Sequence, residues 1–337
     1  MRKRLETIVL LLIMAASLLA VHVYITFFTP ASRDSSVKVV YVQKGASFRV
    51  VASNLEKAGV VKDSDSLVWA ASLLGAYKKI KAGEYEFAAT MTPMEVLEIL
   101  IKGKVKRHLV TIPEGYNIRE VALVLGEAGL VDPDDFVKRA TDGKLVASLG
   151  LEGDTLEGYL FPDTYEFTRG MGADDLIRRM AEKFKAVYFP EFSEQAKRYG
   201  LSMRKVMTLA SIIEKETGAP EERTLISAVF RNRLKKGIKL QSDPTVIYGI
   251  KGFDGNLTRA HLAARTPYNT YAIYGLPPGP IANPGKESIS AALNPASEDY
   301  LYFVSRNDGT HFFSKNLKEH NKAVNRFQRS AKNVEKG

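Results

Sequence analysis

Residues 209–220 read LASIIEKETGAP, an apolar run that meets three charged residues and then a glycine and a proline. The apolar run is typical of the buried face of a helix. Gly218 and Pro220 indicate that this helix stops and that a second helix begins with the proline in its first turn. The stretch therefore predicts a helix-turn-helix, with Glu214 and Glu216 close to the turn.

The first of these helices is expected to begin after Ser202, whose hydroxyl can serve as the N-cap. At about 100° per residue, Glu214 falls between Ala210 and Met207, inside the apolar arc of the helix. Glu216 falls on the opposite edge, about 160° from Glu214. The sequence thus predicts two different environments for these two carboxylates.

This separation argues against Glu214 and Glu216 as an acid and base pair across one sugar bond, because such carboxyl groups must face each other. Lys215 between them is expected to point to solvent. Burial disfavours a charged carboxylate, so Glu214 alone is expected to stay protonated near neutrality, as a general acid requires. A structural helix-end glutamate, paired with an arginine or a capping amide, is an equally open interpretation.

Helices and one hairpin are expected around this pair. YLYFVS and HFFS predict a hairpin around RNDGT (306–310). Residues 241–295 are expected to be mostly loop, because four of the fourteen prolines lie in YNTYAIYGLPPGPIANPG. The predicted helices are 173–188, 192–199, 203–217, 220–236 and about 317–329.

The first half of the chain contains an internal duplication. Residues 42–71 and 112–140 align at an offset of 70, with identities that include Gly45 with Gly115 and Gly59 with Gly129. Each copy reads as a short strand, a glycine turn and a helix that ends at the second glycine. A strand near 82–90 and a helix after Thr92 are expected between the copies. A pure scaffold and a carbohydrate-docking module both fit this pattern.

The N-terminus predicts a membrane anchor. Residues 7–28 form an apolar run without formal charge, and about 20 such residues cross a hydrocarbon core of about 30 Å. A cleaved signal peptide is the rival interpretation, but its apolar region is shorter, about 7 to 15 residues. Arg2, Lys3 and Arg4 precede the run, which favours a cytoplasmic N-terminus and an exported remainder.

Composition excludes several classes of chemistry. The formal net charge of +10 suits an anionic partner, and the membrane span favours an envelope polymer over nucleic acid. The chain has no cysteine, and its five histidines occur singly, so thiol catalysis and zinc motifs have no support. No phosphate-binding glycine loop or GxSxG elbow occurs either. No metal or cofactor is therefore expected.

Several long motifs resemble one family. ASIIEKET, ISAVFRNRL, LQSDPTVIYG, GLPPGPIANPG and ALNPA are similar to those of the YceG-like endolytic murein transglycosylases, and the similarity covers essentially the whole chain. The resemblance implies an α+β fold with an N-terminal transmembrane helix, a LysM-like α/β region with the internal duplication, and a mixed helical and loop-rich catalytic domain. The implied division is 1–6 cytoplasmic tail, 7–28 transmembrane helix, 29–37 linker, 38–108 LysM-like domain, 109–330 catalytic domain, which contains the second repeat copy at its start, and 331–337 tail.

The resemblance also implies an activity and a catalytic residue. The family cleaves nascent peptidoglycan between N-acetylmuramic acid and N-acetylglucosamine, leaves 1,6-anhydro ends and so terminates strand elongation. The family's catalytic glutamate is the first of its EKE, which is Glu214 here. We expect some polar and aromatic residues of the motif loops to line the glycan groove, although structural roles are equally open. These candidates are Glu216, Gln241, Asp243, Tyr248, Tyr268, Asn269 and Asn283.

The implied partners are peptidoglycan strands, cell-wall synthases and the elongation or division machinery, with no nucleic acid. The implied location is the bacterial inner membrane, crossed once, with the N-terminus cytoplasmic and the catalytic domain on the periplasmic or extracytoplasmic side. Two alternatives stay open. One is a hydrolase in which a second carboxylate, such as Asp243, activates water. The other is a non-catalytic glycan-binding envelope module that recruits cell-wall synthases.

Overall fold

The structure is a computed structural model that describes residues 2–77 and 79–329. It divides into two compact units: the N-terminal unit runs to Leu109 and includes Glu166–Met171, and the C-terminal unit comprises Val110–Tyr165 and the chain from Gly172 onward. The predicted tail, 331–337, lies outside the described residues.

The N-terminal unit places two strands and three short helices after a long first helix. Its strands β1 and β2 are antiparallel, with Val40 opposite Tyr85, and both of these side chains are buried. The predicted strand near 82–90 and the helix after Thr92 are confirmed, and Thr92 caps that helix. The elements are α1 (Arg2–Phe28), β1 (Val37–Val42), α2 (Phe48–Lys57), α3 (Ser64–Leu73), β2 (Gly83–Ala88) and α4 (Pro93–Lys102).

Helix α1 contains, in the part of the chain that the structure describes, the one segment long and apolar enough to cross a membrane, Arg4–Phe28. Its last turns belong to the N-terminal unit. Phe27 is buried in the core of that unit, Val23 packs against the same core, and the Phe27 ring stacks on Trp69 of α3 at 5.6 Å between centroids. The helix is therefore joined to this unit by side-chain packing as well as by the chain.

The C-terminal unit is mostly helical, and the division between the two units falls within β3 and within β4. Strand β3 pairs with β4, and β5 pairs antiparallel with β6, which confirms the predicted hairpin. The elements are β3 (His108–Thr111), α5 (Ile118–Glu127), α6 (Pro133–Ala140), α7 (Gly143–Ser148), β4 (Thr164–Phe167), α8 (Ala173–Glu191), α9 (Ser193–Arg198), α10 (Met203–Glu216), α11 (Arg223–Lys235), α12 (Asp243–Tyr248), α13 (Arg259–Ala263), α14 (Lys286–Leu293), β5 (Tyr302–Ser305), β6 (His311–Ser314) and α15 (Leu317–Val324). A 3₁₀ turn, Pro220–Glu222, precedes α11, and a π-helical turn, Asn325–Arg329, follows α15.

The two repeat copies form similar local structure. Helices α2 and α5 each have ten residues and are offset by the same 70 positions as the sequences, with side-chain N-caps from Ser47 and Asn117. Gly59 and Gly129 lie one residue beyond each helix cap with φ of +72° and +67°, a conformation that favours glycine. The LysM-like character of the region stays a prediction.

Residues 241–295 are mostly loop, as predicted, and the segment also contains three short helices. Helices α12, α13 and α14 all lie within it. Pro244 in the first turn of α12 fits a helix start, yet the density of proline and glycine nearby predicts loops. Helix α14 follows Gly285, and its Ile289 and Leu293 are fully buried, so packing stabilises a helix only eight residues long.

Helix α10 and the turn that follows it have the structure predicted from residues 209–220. Ser202 is the N-cap, and Met207, Ala210 and Ile213 are fully buried. Burying a large apolar side chain stabilises a fold by about 1.5–3 kcal/mol, so this face holds α10 firmly in the unit. Gly218 is needed for close approach, because a Cβ atom there would lie 2.9 Å from the carbonyl oxygen of Gly309 in the β5-β6 turn.

Candidate active site

Glu214 lies in the last turn of α10 with its side chain 10% exposed. The backbone N–H of Gly285, which precedes α14, donates to Glu214 Oε2 at 2.9 Å. Arg223 Nη2 of α11 is 3.9 Å from Glu214 Oε1. The predicted inward position is therefore confirmed. The same two contacts would also hold a structural helix-end glutamate.

A second carboxylate, that of Glu114, lies beside Glu214 and was not predicted from the sequence. A Cβ atom on Gly285 would lie only 2.0 Å from Oε1 of Glu114, so the Glu114 carboxyl group rests directly against this glycine. Although Glu114 as a whole is exposed, burial of its carboxyl group raises its pKa, and the nearby charge of Glu214 raises it further. Arg223 acts in the opposite direction. Glu114 and Glu214 thus interact electrostatically at one glycine.

Backbone pairing between two distant loops brings Glu114 to this place. Gly115 N–H donates to the Asn283 carbonyl at 2.9 Å, and Asn283 N–H donates to the Tyr116 carbonyl at 2.8 Å. Lys215, exposed as predicted, donates from Nζ to the Gly115 carbonyl at 3.2 Å. The glycine turn of the second repeat copy therefore lies against the end of α10.

The repeat does not single out Glu114. At the offset of 70, Glu114 aligns with Lys44, so the two copies carry opposite charges just before their shared glycine. Lys57 with Glu127 and Lys62 with Asp132 show the same reversal, so this difference does not mark Glu114. The contact with Gly285 could not be inferred, because nothing in the sequence pairs these two loops.

Glu216 lies on the other edge of α10, as predicted, and has different neighbours. Ser242 Oγ donates to its Oε1 at 2.6 Å, and burial raises the pKa of Glu216 to about 7. It lines a cavity of about 390 Å³ together with Gln241 and Asp243. Asp243 accepts a hydrogen bond from the Tyr271 hydroxyl at 2.6 Å. Three of the predicted groove residues thus share one cavity.

Gln241 has an unusual backbone in this cavity. Its φ of +51° lies in the left-handed region, and its Oε1 accepts from Arg233 Nη1 at 3.4 Å. Arg233 is buried and donates to the carbonyls of Leu240 and Leu301, at 2.8 and 2.6 Å. Arg233 therefore holds the wall of the cavity in place through backbone contacts.

Tyr248 and Tyr268 line a different and larger cavity, of about 510 Å³. Their rings lie 4.8 Å apart between centroids. The Tyr248 hydroxyl donates at 3.0 Å to Glu157, which also accepts from the Ile118 N–H at 3.1 Å. Glu157 is buried, and this burial raises its pKa to about 8 despite these donors. No sequence pattern singled out Glu157.

Asn269 and Asn283 are fully buried, and their amides bond within the fold. Asn269 Nδ2 donates to backbone carbonyls at the end of α13, the shortest contact being 2.6 Å to Ala264. Asn283 accepts from the Leu160 N–H at 2.9 Å and donates to the Tyr116 carbonyl at 2.8 Å. Both asparagines fix loop conformation here, and a role in substrate binding stays a prediction for them.

The candidate residues therefore fall into three places rather than one. Glu214 and Glu114 meet at Gly285, Glu216 lies in the smaller cavity, and the two tyrosines lie in the larger one. Within residues 2–77 and 79–329, no group of three or more His, Asp or Glu side chains could hold a metal ion.

Residues 40–326 match the model of the YceG-like family. The chain belongs to the YceG-like family. This YceG-like chain is 33% identical over 315 residues to a Bacillus subtilis protein named endolytic murein transglycosylase, with 88% of the chain and 87% of that relative covered. A Streptococcus pneumoniae protein of the same name is 30% identical over 317 residues, with 85% of the chain but 57% of that longer relative covered.

A solved structure is also similar to this YceG-like chain. It is a 2.6 Å crystal structure of a yceG-like protein from Listeria monocytogenes, with a TM-score of 0.60 and 32% sequence identity. The match covers 85% of this chain and 98% of that one. The fold described above is therefore shared with another member of the family.

Proposed function

We propose that this protein is an endolytic murein transglycosylase that cleaves nascent peptidoglycan strands between N-acetylmuramic acid and N-acetylglucosamine. The observation that carries the proposal is Glu214, a nearly buried carboxylate in the EKE of a YceG-like chain, fixed by the Gly285 N–H at 2.9 Å. Relatives that bear this activity in their names match almost the whole chain.

Glu214 would act twice in the reaction. As a carboxylic acid it protonates the glycosidic oxygen while the bond from that oxygen to the muramoyl anomeric carbon breaks. As a carboxylate it then accepts the proton of the muramoyl C6 hydroxyl, whose oxygen bonds to the same anomeric carbon and closes the 1,6-anhydro ring. One carboxyl group serves both steps, and no water molecule is consumed.

Arg223 and Gly285 are placed to stabilise Glu214 in its second role, as a carboxylate. Both present N–H groups to Glu214, at 3.9 Å from Arg223 Nη2 and 2.9 Å from Gly285 N, and both favour the carboxylate left after proton donation. Arg223 Nε is buried and has no hydrogen-bond partner among the described residues. We assign Arg223 a positioning role beside the acid.

A hydrolase is the competing enzyme, and the structure changes which residue it would use. Asp243 lines the cavity of Glu216 and bonds to Tyr271, so it is not among the contacts of Glu214. Glu114 lies against the same glycine as Glu214 and is the carboxylate that could activate water. The two reactions differ in their products.

Mass spectrometry of the products separates these reactions. The purified full-length protein is incubated with uncross-linked peptidoglycan strands, and the new glycan ends are analysed. We expect 1,6-anhydro ends, which are lighter than hydrolysed ends by one water molecule. Free reducing ends would support the hydrolase. Bound but uncleaved glycan would support a non-catalytic module that recruits synthases.

The remaining proposals concern place and partners. Helix α1 would anchor the protein once in the bacterial inner membrane, with the N-terminus in the cytoplasm and the chain after α1 on the opposite side of the membrane. Residues 38–108 would form the LysM-like domain and residues 109–330 the catalytic domain. At the outer face of this membrane, the enzyme would meet glycan strands as cell-wall synthases and the elongation or division machinery produce them. Cleavage of such strands would end their elongation.

A further inference from the structure

If helix α1 is the membrane anchor proposed above, its last turns determine how close the N-terminal unit lies to the bilayer. The apolar span reaches Phe28, yet Val23 already packs against the core of the unit. Val23 lies five residues before the end of the span, which is about 7.5 Å along a helix. The elements that pack on these last turns, α3 and α4, must therefore lie at the level of the membrane interface.

Helix α3 presents a large apolar face at this level. Trp69 is 53% exposed, Leu73 66% and Leu74, which directly follows the helix, 51%. The face is continuous with α1, because Trp69 stacks on Phe27 and a shallow cavity of about 220 Å³ is lined by Phe27, Trp69 and Leu73. Water-soluble surfaces seldom leave contiguous large apolar side chains exposed, and such patches mark contacts with proteins or membranes.

A second cavity extends this surface toward α4. It measures about 490 Å³ and is lined by the apolar residues Phe28, Leu74 and Met94. The charged residues Glu95, Glu98 and Lys102 also line it, and such groups can meet lipid headgroups and water. The surface thus changes from apolar to charged within one unit, as the interfacial layer of a bilayer does.

We propose that this face, defined by Phe28, Trp69, Leu73, Leu74 and Met94, docks into the outer interfacial layer of the bilayer that α1 spans. Tryptophan is enriched at membrane interfaces because its ring is amphipathic. The Tyr24 and Phe28 rings, stacked at 5.9 Å at the end of α1, add aromatic surface at the same level. The unit would then rest on the membrane in one fixed orientation instead of moving freely above it.

The chain contains a built-in reporter for this proposal, because Trp69 is its single tryptophan. The full-length protein is reconstituted in nanodiscs made from lipids with or without bromine on the acyl chains. We expect the bromolipids to quench Trp69 emission, the emission to be blue-shifted, and aqueous iodide to quench it weakly. Trp69 that is insensitive to bromolipid and fully quenched by iodide would overturn the proposal.

A matched variant reports on a different helix of the same unit. In the double variant Trp69→Phe with Val50→Trp, the tryptophan moves to α2, at a position that is 50% exposed. We expect iodide to quench it strongly and bromolipid to quench it little. Equal bromolipid quenching at both positions would contradict a specific docking face. Protection of Trp69 from both quenchers would indicate that a protein covers it and would also overturn the proposal.

Co-elution with the nanodiscs separates this inference from the anchor on which it rests. Protein that does not co-elute with nanodiscs would remove the anchor and the inference together. Protein that co-elutes while Trp69 remains in water would leave the anchor standing and overturn the docking face alone.

Discussion

Two glutamates share one glycine at the centre of the candidate site. Glu214 accepts a hydrogen bond from Gly285 N–H, and the Glu114 carboxyl group lies against the same residue. Burial of the Glu114 carboxyl group raises its pKa, and the nearby charge of Glu214 raises it further.

The pKa of Glu114 reports on this pair. Glu214→Gln removes a negative charge beside Glu114, and we expect the raised pKa of Glu114 to fall toward the usual value of a glutamate. Carbon-13 NMR titration of the glutamate side chains measures it. Glu216→Gln is the matched control, because Glu216 has a different set of neighbours. An unchanged Glu114 titration in Glu214→Gln would show that the two groups are not coupled.

The sequence predicted Glu214 better than its surroundings, for a physical reason. Helical periodicity alone places Glu214 inward, since Met207 and Ala210 lie within a turn or two of it. Glu114, Gly285 and Glu157 depend on loops that pair across long sequence separations, and no local pattern encodes such pairing. The burial that raises the pKa of Glu157 is likewise a product of tertiary packing.

At the scale of elements, the site is the junction of α10, α14 and the glycine turn before α5. Gly285 is the N-cap of α14 with φ of −72° and ψ of 170°, a backbone that any residue can adopt. A glycine is therefore needed here because a side chain would not fit beside Glu114, and not because of the backbone conformation. The glycine allows Glu114 to approach a helix start that also binds Glu214.

The variant Gly285→Ala tests whether Glu114 needs the space left by the missing side chain. The added methyl group would lie 2.0 Å from Oε1 of Glu114, the end of a flexible side chain that can turn away, so we expect displaced Glu114 and reduced glycan cleavage with little change in stability. Activity assays and thermal unfolding measure both effects.

Gly172→Ala is the matched control for this variant. Gly172 is also the N-cap of a helix, α8, with φ of −79° and ψ of 167°, and a Cβ atom there would meet nothing closer than 4.0 Å. We expect near wild-type activity and stability. Equal losses in Gly172→Ala and Gly285→Ala would indicate a general helix-cap effect instead of a contact with Glu114.

Helices α8, α9, α10 and α15 were predictable, whereas α12, α13 and α14 were not. The predicted helices around 173–188 and 203–217 appear as α8 and α10 with similar bounds. Helix α14 has only eight residues, starts at a glycine and depends on the burial of Ile289 and Leu293. Helix propensity contributes little over so few residues, so tertiary contacts determine whether such a short helix forms.

The capping of α10 offers a modest test at this scale. Ser202 Oγ accepts from the Lys205 N–H at 3.3 Å, and Ser202→Ala leaves that donor unsatisfied. We expect a loss of about 1 kcal/mol in the free energy of unfolding. Urea denaturation measures the loss. Ser202→Asp restores a side-chain acceptor and should recover most of the stability, and its failure to do so would argue against capping.

At the scale of the molecule, buried carboxyl groups make stability depend on pH. Burial raises the pKa of Glu157 to about 8 and that of Glu216 to about 7, from a usual value of 4.5. The folded state therefore binds these protons more tightly than the unfolded chain does. This contribution is complete below about pH 4.5 and is lost as the pH rises through 7 and 8.

Glu157→Gln isolates that contribution. Between pH 5 and pH 8, wild-type stability should fall relative to the variant by up to about 1.4 kcal/mol per pH unit, because the glutamine carries no titrating group. Urea unfolding at several pH values measures the difference. Glu127→Gln, at an exposed position of α5, is the control for replacement of a surface glutamate. A Glu157→Gln difference that does not vary with pH would contradict the buried, protonated carboxyl group.

The central claim is that Glu214 is the catalytic acid, and glycan products from Glu214→Gln test it most directly. Wild type, Glu214→Gln and Glu216→Gln are incubated with peptidoglycan strands, and anhydro-muramoyl ends are quantified by mass spectrometry. We predict a loss of about 10²- to 10⁴-fold for Glu214→Gln, the usual contribution of a general acid, and a much smaller effect for Glu216→Gln. Full formation of anhydro ends by a folded Glu214→Gln would contradict the account.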